Sequence, residues 1–129
     1  MNKINVETSV GELIDKMTIL EIKKEKISDE KSLSIIDKEY SSLQVTLQKD
    51  VKINDEIKKL WNELKKINLK LWEIEDKIRL CEKNKKFDEK FVELARSVYK
   101  SNDIRSKLKL KINQLTGSNL QEVKQYTEY

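Results

Sequence analysis

The 129-residue chain has no histidine, no proline, one cysteine and two glycines. Without histidine, imidazole acid/base chemistry and the usual zinc sites are excluded, and the lone Cys81 cannot form an internal disulfide. The near-absence of both helix breakers favours long uninterrupted helices over a sheet rich in turns. No stretch approaches the roughly 18 consecutive apolar residues of a membrane-spanning helix, and the amino terminus has no apolar run suited to a signal peptide. A cytoplasmic protein with no membrane partner is the expectation.

Charge is abundant but mixed. There are 27 basic and 23 acidic side chains, a formal net charge of +4, and the 39% of charged residues exceed the 37% that are hydrophobic. Composition alone puts the chain near disorder, so periodicity has to decide. A mixed surface of this kind does not imply nucleic acid.

The periodicity is helical throughout. Ser9 and Glu12 form a capping box that opens a first helix over 10 to about 27, with Val10, Leu13, Ile14, Met17, Leu20 and Ile27 inward. Ahead of it, Asn2 to Val6 read as a short extended arm. A second helix spans about 31–49 on Leu33, Ile36, Tyr40, Leu43 and Leu47. The third, from Asn54 to about Asn84, has the cleanest seam: Ile57, Leu60, Leu64, Ile67, Leu71, Ile74, Ile78 and Cys81 alternate three and four apart. A fourth, capped by Asp88 and ended by Gly117, turns Phe91, Leu94, Ala95, Val98, Leu108, Ile112 and Leu115 inward. Ser118 and Gln121 predict a second capping box and a short final turn holding Val123 and Tyr126. These elements make one all-α domain over 1–129, an antiparallel helical bundle of four main helices built on a long helix 3/helix 4 hairpin, with the first two helices at its sides.

The fourth helix has a gap in its apolar stripe, where Asn102 and Arg105 stand. Asn102, Arg105, Lys109 and Asn113 share one face by their spacing; on the third helix Asn68, Trp72, Glu75 and Arg79 do the same. If the helices pair, the rows converge as a polar pocket, with Arg105 bonded to a carboxylate expected to be Glu75. Only three arginines, at 79, 96 and 105, accompany 24 lysines, and a planar guanidinium suits a carboxylate or phosphate. Asn68, Glu75, Arg79, Asn102, Arg105, Lys109 and Asn113 are therefore the candidate ligand-binding residues. A buried polar layer that sets helix register explains the same pattern. Trp61 and Trp72, eleven residues apart, fall on similar faces and read as core or as interface anchors.

Two other chemistries are weaker. Glu73, Glu75 and Asp76 match half of the metal-binding pattern of all-helical nucleotide pyrophosphohydrolases, but no Glu-Glu-x-x-Glu cluster stands upstream. No metal or cofactor is expected. Arg105, Lys107, Lys109 and Lys111 are two residues apart, a spacing that spreads charge around a helix, and no aromatic platform is interleaved.

The segments GELIDKMTILEIKKEKI (11–27), LWEIEDKIR (71–79) and FVELARSVYKSNDIRSKLKLKINQLTGS (91–118), with EVKQY after them, resemble a family of short bacterial proteins catalogued as a domain of unknown function. The resemblance implies an all-helical protein, found beside glycosyltransferase or cell-surface polysaccharide genes, and brings no catalytic residue. The residues by themselves support a non-catalytic module for a protein partner or a small anion. The alternative is a metal-independent enzyme on an anionic metabolite, with Glu75, Asp103 or a lysine as acid or base. The length of the third helix predicts a symmetric homodimer.

Overall fold

A computed structural model describes residues 2–129. Four helices follow one another, α1 (Val10–Lys26), α2 (Glu30–Asp50), α3 (Asp55–Lys83) and α4 (Glu89–Thr116), and they pack as a bundle. Side chains start each of them: Ser9, Asp29, Asn54 and Asp88 accept the amides of Glu12, Ser32, Ile57 and Phe91. Gly117 ends α4 in the left-handed conformation, at φ 66°, that a glycine adopts without strain.

The hairpin of α3 and α4 is the most extensive helix pair, and α1 packs against both of its helices. Gly11 and Asp15 bond to α4, whereas Glu21 and Glu25 bond to α3, so α1 crosses the hairpin obliquely. Ile14, Met17, Ile57, Leu64 and Ile112 are almost wholly buried where the three meet. The place of α2 differs from expectation. It lies against α1 and does not flank the hairpin directly. Tyr40 explains the docking: its hydroxyl donates to Glu21, which also accepts from the Trp61 indole of α3. Burial, and then the bond to Glu21, pushes the Tyr40 hydroxyl up to about 12.

At 1.5 Å per residue α3 is about 43 Å long and α1 about 25 Å, so α1 cannot cover the whole hairpin. Beyond Ile74 the seam residues Ile78, Cys81, Phe91 and Leu94 are only half-buried, and Leu80, Phe87 and Val92 are exposed. Residues 118–129 do not form the expected final turn. The Ser118 hydroxyl accepts the amide of Val10 and donates to the carbonyl of Leu120, so it does not cap the segment after it. The tail instead runs back along α4, held by Glu122 on Lys109 and by Tyr129 on Asp103.

Candidate functional site

The polar residues of α1, α3 and α4 divide into a closed clamp and an open cleft. Asp15 is the centre of the clamp. Its side chain is 1% exposed and receives two bonds from Arg105, Nε to Oδ1 at 2.9 Å and a terminal nitrogen to Oδ2 at 2.5 Å. The Asn68 carboxamide donates to Asp15 Oδ1 at 2.8 Å and to the Thr18 hydroxyl at 2.9 Å. Hydrogen bonding to Asp15 raises the affinity of the Arg105 guanidinium for its proton against the opposing effect of burial.

One turn along α4 the clamp continues. Burial pulls the Lys109 ammonium down, but its bonds to Glu12 at 2.7 Å and Glu122 at 3.0 Å outweigh burial and leave it above its usual range. Lys109 in turn holds the Glu122 carboxyl below its usual range. Asn113 accepts the amide of Gly11 at 2.7 Å. Gly11 is required here by space: a Cβ would stand 2.5 Å from the Lys109 carbonyl oxygen. The absence of a side chain thus lets α1 approach close enough for Asp15 to reach Arg105.

Four of the seven candidate residues, Asn68, Arg105, Lys109 and Asn113, are therefore engaged inside the protein. The carboxylate on Arg105 is Asp15, not Glu75. Glu75 lies on the exposed part of α3 and meets Arg79 at 3.4 Å, with both side chains more than half exposed. Asp15 carried a sequence signal that the apolar pattern hides: Gly11, Asp15, Thr18 and Ile22 step four and three apart as a second stripe on α1, and all four are buried.

The cleft begins where α1 stops covering the hairpin. About 530 Å³ in volume, it is lined by Leu71, Trp72, Glu75, Asp76 and Arg79 of α3, by Val98 and Asn102 of α4, and by Ile19, with Asn68 and Arg105 at its floor. The α3 row thus lines one cleft with only Asn102 and Arg105 of the α4 row, Lys109 and Asn113 turning instead to α1, and the Arg105 charge is already neutralised by Asp15. Trp72 forms a wall of this cleft, while Trp61 lies under α1 on Glu21.

The sequence model of a family of unknown function, DUF6165, matches residues 4–128. The chain belongs to this family. No curated protein and no solved structure matches it. The matched span in this DUF6165 chain takes in the clamp, the cleft and nearly all of the tail. No helix among the described residues is long and apolar enough to cross a membrane.

Proposed function

We propose that the chain is a non-catalytic interaction module that associates with a second copy of itself through the open trough of the distal hairpin. The observation that carries this reading is the continuity of the trough. Near the base α1 fills it; farther out the same two helices leave a cleft walled by Leu71, Trp72 and Val98. A pair of hairpins from two copies would cover those walls as a four-helix layer.

Surface area supports a partner of this size. The chain exposes 9756 Å², whereas a compact monomer of its 15.3 kDa mass exposes about 7,100 Å². The projecting hairpin and the two extended termini carry the excess. A standard interface removes roughly 800 Å² from each partner, well within it. An anion at Arg105 or Lys109 has less support, because both cations already hold carboxylates. Catalysis has no geometric support either: Glu75 is exposed beside Arg79, and Asp103 accepts from Tyr129.

Sedimentation at micromolar concentration tests the reading. A species of twice 15.3 kDa is expected, and Val98→Arg, which places a charge in the trough, should return it to monomer with unchanged helical circular dichroism. A wild-type monomer at that concentration contradicts the proposal.

A further inference from the structure

The net charge of +4 is unevenly distributed. Residues 55–117, which hold the hairpin, contain 17 basic and 11 acidic residues, a net +6, so the remainder of the chain is slightly acidic at −2. The fold then sorts the basic residues by face. On α4, Arg105 and Lys109 turn toward α1 and are paired. Lys107 and Lys111 follow each by two residues, about 200° around the helix, and are exposed on the opposite side. Lys100 joins their stripe. On α3, Lys59, Lys66, Lys70 and Lys77 recur at spacings of seven and four, on the side away from Trp61 and Asn68, which touch α1.

The result is a two-helix face, on the back of the hairpin, with seven exposed lysines. Among the described residues none of the seven is in an ion pair. Carboxylates share that side: Glu63 and Glu73 between the α3 lysines, Glu89 and Glu93 beyond Lys100, and Asp103 with Glu128 of the tail, which line one cavity with Lys100 and Lys107. The face is not purely polar. Ile104, 48% exposed, sits one turn from Lys100 and Lys107 and shares a cavity with them and with Tyr126 and Tyr129 of the tail.

We infer that this lysine face is a peripheral docking surface for an anionic lipid bilayer. Lysines that flank the outward Ile104 suit an interface at which cations meet headgroups and the aliphatic side chain enters the acyl boundary. A nucleic-acid duplex would use the lysines but leave Ile104 idle, and the face carries no paired arginine fork for bases. The sequence alone did not expose this surface, because alternating cations on α4 read as charge spread evenly around the helix.

Co-sedimentation of the full chain with vesicles of phosphatidylcholine containing 30% phosphatidylglycerol, and with pure phosphatidylcholine, tests the inference. Binding to the anionic vesicles alone is expected, weakening as salt rises. The quadruple variant Lys66→Gln, Lys70→Gln, Lys107→Gln and Lys111→Gln alters only exposed side chains, so its helical signal should be unchanged. Its partitioning should fall on the order of 10²–10³-fold. Ile104→Asn, at constant charge, should weaken vesicle binding several-fold and leave any association with a 20-base-pair DNA duplex unaltered. Equal binding to neutral vesicles, wild-type binding by the quadruple variant, or duplex binding tighter than vesicle binding would each overturn the inference.

Discussion

The proximal and distal halves of the α3/α4 hairpin are built from the same repeating seam yet differ in what completes them. Near the base, α1 fills the trough, and Ile57, Leu60 and Leu64 are almost fully buried. Farther out, Ile78, Cys81, Phe91 and Leu94 are half-buried in a layer only two helices thick. The difference follows from polar chemistry as much as from length. Asp15 and Gly11 let α1 dock closely on α4, whereas the distal trough offers Trp72, Asn102 and a solvated Glu75–Arg79 pair with no helix above them. An apolar seam thus makes a hairpin, but a satisfied buried polar group decides where a third helix settles on it.

The largest effect that separates the halves should come from the clamp. Arg105→Ala leaves Asp15 buried beside a single carboxamide donor, and a loss of about 3–5 kcal/mol is expected from the shift of the urea midpoint. Next comes Gly11→Ala, whose Cβ meets backbone and so cannot be relieved by a side-chain rotation; about 1–3 kcal/mol should be lost in the same measurement.

A smaller effect tests how α2 is held. The Tyr40 hydroxyl is raised from 10.0 to about 12, so its protonated form is favoured in the folded protein. The associated stability is present in full below pH 10 and is lost as pH climbs toward 12. After allowance for its partial exposure, roughly 1 kcal/mol is involved. Tyr40→Phe should flatten that alkaline decline in thermal melts. The smallest effect belongs to the distal half: Arg79→Ala removes an exposed pair and should change the midpoint by under about 0.5 kcal/mol.

Much of this architecture was legible because helix periodicity is a local property. The seam of α3, the capping residues Ser9, Asn54 and Asp88, and the stop at Gly117 all follow from spacing and side-chain type. The rows that line the cleft were legible for the same reason. The partner of Arg105 was not, since Asp15 lies 90 residues away in the chain and is flanked by Ile14 and Lys16, which mask its stripe. The tail misled for a related reason. Ser118 has the residue type of a cap, but its hydroxyl serves Val10, a partner that only the folded chain brings near.

Native-state amide hydrogen exchange at two protein concentrations tests most directly whether the distal hairpin is completed by a second copy. The account predicts that amides of Met17, Leu60 and Ile112 are strongly protected at both concentrations. Those of Ile78, Cys81, Leu94 and Val98 should exchange quickly in dilute protein and slow by tenfold or more, about 1.4 kcal/mol, at high concentration. Equal protection of the distal amides at both concentrations, whether high or low, would contradict it.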